Sequence, residues 1–243
     1  MKINGKPYRS IWLNENGRSV DIIDQTRLPH EFVIRTLHKL ADAVEAIAVM
    51  QVRGAPLIGA TAAYGVALAL QQDVSDKQLD QACQSLLATR PTAVNLRWAL
   101  VRIKQQLAAL SGDQRLTKAY GLAAEICDGD VAINQSLGRH TLNIIRELWQ
   151  QEPSKTDAVQ ILTHCNAGWL ATVDWGTALS GIYQAHDEGI LLHIWVDETR
   201  PRNQGAALTA WELASHGVPH DVIVDNAGGH LMQRGQVDIC ITG

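Results

Sequence analysis

No stretch of the 243-residue chain approaches the roughly 20 consecutive apolar residues that a membrane-spanning helix needs. The opening MKINGKPYRSIWLNENG has no apolar core of the signal-peptide kind. These absences argue against a membrane partner and against export, so a cytoplasmic protein is expected. Basic charge is not in excess either: 21 Lys and Arg stand against 25 Asp and Glu, a formal net charge of −4. Binding nucleic acid or a membrane surface calls for a concentrated basic face. No nucleic-acid partner is therefore expected, although local phosphate binding stays open. The four cysteines, Cys83, Cys127, Cys165 and Cys240, form no CxxC pair and no framework spacing, so reduced thiols are the default. Nine histidines are scattered with no HxH or HExxH, and no metal site is inferred. No GxGxxG follows the first strand of the C-terminal half, which weakens a nicotinamide-dehydrogenase reading. Internal repeats and low-complexity segments are also missing.

What is present is a globular composition, 46% hydrophobic, on a chain long enough for one large domain or two ordinary ones. Residues 1–30 alternate irregularly, with strand-like pieces such as SVDIID. From about residue 36 the period is helical. ADAVEAIAVM stops at VRGAP, and a second helix is expected to start at Pro56, since proline suits the first turn. It continues through LIGATAAYGVALAL, almost without polar residues and so buried on all sides. Ser75 and Gln78 form a capping-box pattern before LDQACQSLLATR. RPTAVNL interrupts, and helical patterns resume in RWALVRIKQQLAAL, LTKAYGLAAEIC and LGRHTLNIIRELWQ. QEPSKTD is a turn-rich connector. After it, AVQILTHC, ILLHIWVDET, VPHDVIVD and VDICITG read as strands. The segments between them are helical in pattern and close with glycine. Strand and helix alternating at this spacing mean βαβ units and a parallel sheet. The expected fold is α/β. A mainly helical domain with a short β-containing start covers residues 1–150, and an incomplete Rossmann-like parallel-sheet domain covers 151–243.

Ligands of an open parallel sheet bind beyond the carboxyl ends of its strands. Three such ends are readable: HCNAG, DETRPRNQG and DNAGG. Each is rich in polar groups and glycine, beyond what three structural turns need, and their convergence points to an enzyme. A lone cysteine is usually a small buried apolar residue. Cys165, however, lies at a strand end beside an Asn-Ala-Gly turn whose N–H groups can face a ligand. That place suits a thiol used for acid–base work or for stabilising a developing charge. His164 points to the opposite face and reads as a packing residue. Cys83 and Cys240 are assigned to the core. Gly54 and Ala55 precede a helix start, where free N–H groups and the helix dipole favour an anion. Arg53 adds charge in a geometry that fits phosphate, and Arg90 is a second candidate clamp; either alone reads equally well as a surface arginine. Gln204, ahead of Gly205, offers an amide to a sugar hydroxyl. Asp197, Glu198, Arg200 and Arg202 read as rim salt bridges, and Asp225 and Asn226 as caps of the next helix. Together these residues describe a phosphorylated small molecule held beside a thiol, without fixing the reaction.

VRGAPLIGATAAYG, RPTAVNL, THCNAGWLAT, GTAL, VDETRPRNQG, LTAWEL and DNAGGHLM together resemble the methylthioribose-1-phosphate isomerase family, over the stretch from about residue 20 to the end. The wider superfamily holds ribose-1,5-bisphosphate isomerases and regulatory subunits of a translation initiation factor's nucleotide-exchange complex. The resemblance implies isomerisation of 5-methylthioribose 1-phosphate to 5-methylthioribulose 1-phosphate in methionine salvage, by a homodimer with no metal or organic cofactor. It places Arg53, Gly54, Ala55, Arg90 and Gln204 at substrate-binding positions and Cys165 at the catalytic cysteine, assigned to transition-state stabilisation. The family's acid is an aspartate in a Gly-Ala-Asp or Gly-Thr-Asp motif, which would begin at Gly243, the last residue. The resemblance therefore implies a C-terminally truncated member with little activity alone. Trp169 and Trp175, near the thiol, either pack or shape the pocket for the 5-substituent, which makes 5-deoxyribose 1-phosphate an alternative substrate. A non-catalytic relative that binds sugar or nucleotide phosphates is the alternative of a different class.

Overall fold

The structure, a computed structural model, describes residues 1–3, 5–110, 112–151 and 158–243. Most of the QEPSKTD connector, residues 152–157, lies outside the described residues. The chain divides into two compact units, one of residues 10–130 and one of residues 1–9 with 131–243. In the latter, the first residues form a hairpin of β1 (Lys2–Ile3) and β2 (Lys6–Pro7).

The first of these units is mainly helical. Its sheet has three antiparallel strands, β3 (Ile11–Leu13), β4 (Val20–Ile23) and β5 (Ile34–Leu37), with β4 in the middle and all four of its residues buried. Helices α1 (Leu40–Ala48), α2 (Ala55–Leu70), α3 (Asp76–Thr89) and α4 (Val94–Leu107) follow, then α5 (Gly112–Gln151), whose residues from 131 on belong to the other unit. Helix α2 is the core element, buried without a break from Leu57 to Leu70. Each fully buried leucine or valine there contributes about 1.5–3 kcal/mol. A Cβ on Gly65 would come within 3.1 Å of both Ala43 and Leu86, so α1 and α3 close on α2 at that point. Ser75 caps α3 as expected, its hydroxyl accepting the Gln78 N–H at 3.2 Å. The reciprocal half of the capping box does not form. Asp73 takes the Ser75 N–H at 2.9 Å, and the Gln78 amide donates to the Ala69 carbonyl instead. The expected patterns LTKAYGLAAEIC and LGRHTLNIIRELWQ belong to one helix, α5, of 40 residues. The polar stretch between them contains no proline, and Gly129 inside a helix costs only about 1 kcal/mol.

The second unit holds the parallel sheet. Strands β6 (Val159–Thr163), β7 (Leu192–Asp197), β8 (His220–Ile223) and β9 (Ile239–Cys240) alternate with α6 (Ser180–Asp187), α7 (Ala210–His216) and α8 (Gly228–Gln233). A π-helical turn, Gly205–Thr209, leads into α7. All pairings are parallel, in the order β8-β7-β6-β9, with Ile161 opposite Ile194 on one side and Ile239 on the other. This is the α/β sheet expected from the periodicity. Helix α6 lies against the second half of α5, where a Cβ on Gly181 would fall 2.4 Å from Thr141. Cys240, expected in the core, is exposed. It sits on β9, which among the described residues pairs with β6 alone, so the period that marks a strand does not tell which faces are covered.

The strand order fixes where chemistry can occur. From β6 the chain moves outward to β7 and β8, then returns to the other side of β6 as β9. The order reverses at β6, and an open α/β sheet has its ligand crevice at such a reversal, beyond the carboxyl ends of the strands.

Candidate active site

Cys165 follows β6 at this reversal and is half-buried, with φ at 61°. The left-handed region costs a side-chain-bearing residue about 1 kcal/mol or more, so it persists only where the surroundings impose it. Two threonine hydroxyls do so. The Cys165 N–H donates to Thr199 Oγ1 at 2.8 Å, and Thr209 Oγ1 donates to the Cys165 carbonyl at 2.7 Å. The next residue, Asn166, is buried and donates through Nδ2 to Thr209 Oγ1 at 3.1 Å and to Glu212 Oε1 at 2.9 Å. Glu212 is fully buried. Its carboxyl also accepts the Leu170 N–H (3.0 Å), the Trp169 N–H (2.9 Å) and the Tyr183 hydroxyl (2.7 Å). Burial pushes the Glu212 carboxyl up from its ordinary value, while the bonds from Asn166, Tyr183 and the two amides pull it down. Four donors face the carboxyl, an arrangement that favours its ionised form. A Cβ on Gly168 would lie 1.9 Å from Glu212 Oε2, so the turn can pass the carboxylate only as glycine.

His164, expected to pack, is instead exposed. Its Nδ1 lies 3.0 Å from Asp197 Oδ2 and 3.6 Å from Asp225 Oδ1. Asp197, expected as a rim ion pair, is buried, and desolvation pushes its carboxyl up against the opposing pull of His164. Its Oδ1 has no hydrogen-bond partner among the described residues. Asp225 does not cap α8. The N-terminus of α8 has no side-chain cap, and Asp225 Oδ2 instead accepts the Arg200 N–H at 3.0 Å. Ligand atoms of His164, Asp197 and Asp225 lie within 4.8 Å of one another, so these residues could hold a metal ion. They come from three separate strand ends, which is why histidine spacing alone could not bring them out.

Gln204 stands at the start of the π-helical turn, half-buried, on the carboxyl side of β7. A Cβ on Gly205 would fall 1.6 Å from the Asp197 carbonyl oxygen. That close approach seats Gln204 at the tip of β7, as Cys165 is seated at the tip of β6. Thr199 ties the two tips together through the Cys165 N–H. Trp169 is buried and lies 6.2 Å from the ring of Trp211, so it packs rather than lining an opening; Trp175 is half-buried with φ at 70°.

In the helical unit, Arg53, Gly54 and Ala55 occupy the N-terminus of α2. Gly54 is the N-cap, with φ at 86° and ψ at 135°, a conformation that needs glycine. The helix starts at Ala55, one residue before Pro56, leaving early N–H groups without intrahelical partners. Arg53 and Arg90 are both half-buried. Arg90 ends α3 with φ at −144° and ψ at 77°, outside the helical region that a following proline disfavours. A Cβ on Gly59 would come within 3.1 Å of the Asn95 carbonyl oxygen, so the first turns of α2 and α4 meet backbone to backbone. The RGAP and RPTAVNL segments therefore lie at neighbouring helix starts. This unit also carries a groove of about 490 Å³ lined by Leu13, Arg18, Gln71 and Tyr120, none of them a candidate residue.

Glu212, Thr199, Thr209 and Asn166 were missed in the sequence. A signal for Glu212 existed: it is a charge four residues after Leu208 and beside Leu213, on the apolar face of a helix.

Residues 51–243 match the profile of the initiation factor 2 subunit family. The chain belongs to that family. Among its relatives, a methylthioribose-1-phosphate isomerase of Rhodospirillum rubrum is 61% identical over 246 residues, covering 100% of this chain and 63% of the relative. That of Paramagnetospirillum magneticum is 63% identical over 243 residues, covering 100% and 66%. The chain thus spans just under two thirds of the length of these relatives. Among solved structures, 5-methylthioribose 1-phosphate isomerase from Pyrococcus horikoshii matches with a TM-score of 0.84 at 38% identity, over 98% of this chain and 66% of that one. Translation initiation factor eIF-2B subunit delta from A. fulgidus matches with a TM-score of 0.83 at 35% identity, over 98% and 68%.

Proposed function

We propose that the chain is part of an aldose–ketose isomerase that converts 5-methylthioribose 1-phosphate to 5-methylthioribulose 1-phosphate, a step of methionine salvage. It acts in the cytoplasm as a homodimer, without metal or organic cofactor. The observation that carries this is Cys165, a thiol held in a left-handed turn where the strand order reverses. The names of its close relatives agree with it. Among the described residues no helix is long and apolar enough to cross a membrane.

The anomeric oxygen of the substrate carries phosphate, so the sugar cannot open its ring as a free aldose does. Opening needs a proton at the ring oxygen. One hydrogen then moves from C2 to C1, with no net gain or loss of atoms. In this proposal Arg53, Arg90 and the N–H groups at Gly54 and Ala55 bind the phosphate. Gln204 bonds a sugar hydroxyl, and Cys165 stabilises the charge that develops during the hydrogen shift. Exclusion of water from the site favours the shift by either a proton or a hydride route.

Turnover of 5-methylthioribose 1-phosphate by the complete reading frame that carries this chain is the test. Cys165→Ser is expected to lower kcat by about 100-fold or more with KM little changed. Wild-type turnover in that variant would overturn the assignment. The ratio of turnover on 5-methylthioribose and 5-deoxyribose 1-phosphates decides between the two sugars. The likeness to the eIF-2B subunit delta favours one competing reading, a non-catalytic protein that binds sugar or nucleotide phosphates. Under it the protein turns over neither sugar, and Cys165→Ser leaves phosphate binding unchanged.

A further inference from the structure

The isomerase chemistry leaves Glu212 without a task. Glu212 lies on α7 and is fully buried, so its carboxyl reaches no solvent. A buried carboxylate is costly unless hydrogen-bonded. Replaced by an apolar residue of like volume, it would remove that cost from a packing site. Its bonds, however, do not tie the helix to the sheet in general. They converge on one segment: Asn166, Trp169 and Leu170 all belong to the turn that follows Cys165, and Tyr183 buttresses the carboxylate from α6. Asn166 also donates to Thr209, the residue whose hydroxyl holds the Cys165 carbonyl.

We infer that Glu212 is a positioning residue for the isomerisation: its buried carboxylate holds the turn that keeps Cys165 in its left-handed conformation and aims the sulfur at the ligand crevice. The inference rests on the isomerase proposal only for its link to turnover, because the geometry of the turn can be read without any substrate. Two features separate this role from ordinary packing. Both carboxylate oxygens of Glu212 accept backbone N–H groups of the turn, a tie that apolar packing does not make. Gly168 has no room for a side chain beside the carboxylate, so turn and carboxylate fit as one piece.

The test is Glu212→Gln, which keeps the volume but puts an amide NH2 where only donors face it. Alkylation of each cysteine by iodoacetamide is followed by mass spectrometry. Buried Cys127 reports unfolding of the helical unit, near-UV circular dichroism reports loss of packing around buried Trp169 in the sheet unit, and exposed Cys240 reports reagent activity. Loosening of the turn is expected to speed alkylation at Cys165 about tenfold while Cys127 stays protected and the near-UV signal is kept. In the turnover assay kcat is expected to fall about 100-fold, as misplacement of a reacting group by about 1 Å can do, with KM within about threefold. Unchanged Cys165 alkylation in folded Glu212→Gln overturns the inference. If Cys127 becomes reactive too, or the near-UV signal is lost, the variant has unfolded. The decision then passes to Tyr183→Phe, which removes one donor to the carboxylate and no bond to Cys165 itself. Faster Cys165 alkylation there supports the role, and unchanged alkylation defeats it. A wild-type protein that turns over neither sugar defeats the isomerase proposal, while the alkylation arm still judges Glu212.

Discussion

Tyr183 shows how much the environment of a single side chain can be made to report. Burial first, and then the neighbouring Glu212, push its phenol well above the ordinary value of 10.0. In the unfolded chain the phenol ionises near that ordinary value; in the folded chain it stays protonated. Its stabilising contribution is therefore complete below about pH 10 and is lost as pH rises toward the folded value, by up to about 1.4 kcal/mol per pH unit. Tyr183→Phe is expected to be about 1 kcal/mol less stable than wild type at pH 8, because Glu212 loses a donor. The gap should close above pH 10, where only wild type carries the penalty. Urea unfolding from pH 8 to pH 11 measures both limbs. Residues of this kind are hard to find in a sequence, since their roles are set by partners far along the chain. His164 reads as a packing residue until Asp197, 33 positions away, is folded beside it. The place of Cys165 at the end of a strand was legible because its cue is local: an apolar run that ends in an Asn-Ala-Gly turn.

Among the elements, α2 and α5 are opposites. Helix α2 carries Gly65 against Ala43 and Leu86, whereas nothing lies within 4 Å of the position a Cβ would take on Gly129 of α5. Gly65→Val is expected to destabilise by about 1–3 kcal/mol through overpacking. Gly129→Ala is expected to stabilise by about 0.5–1 kcal/mol, since alanine forms helix better and meets nothing. Chemical denaturation of the two variants gives opposite signs if the packing of α2 is as described. Apolar periodicity made α2, α4 and the parallel strands readable, because each buries a face of matching period. It failed for α5, where a polar stretch looks like a break although its residues tolerate a helix. It also failed for Cys240, because a strand's own pattern does not say which of its faces are covered. Helix-start chemistry was legible at Gly54 and Pro56, where backbone geometry demands particular residue types, and at Ser75 only in half, since Asp73 competes for the same N–H.

For the whole molecule, family membership and the α/β architecture agree with the sequence motifs, and a functional consequence can be measured without catalysis. A ligand that binds only the folded state stabilises it by about 2.7 kcal/mol at 100 times its Kd. 5-Methylthioribose 1-phosphate at that excess is expected to raise the melting temperature of wild type, read by scanning fluorimetry. Arg53→Ala is expected to lose most of the shift, read against its own unliganded melting temperature. Inorganic phosphate giving the full shift would mean that the sugar is not recognised.

The clamp on Cys165 has a consequence for how the protein comes into being. The hydroxyls that hold its backbone belong to residues 34 and 44 positions downstream, and the carboxylate bonded to Asn166 lies 46 positions beyond that asparagine. At about 5–20 residues per second of synthesis, a nascent chain carries its sulfur for several seconds before the groups that set its angle have been translated. The sulfur is made early and its turn is closed late, and an oxidant met in that interval would find it on a strand end with no finished turn around it.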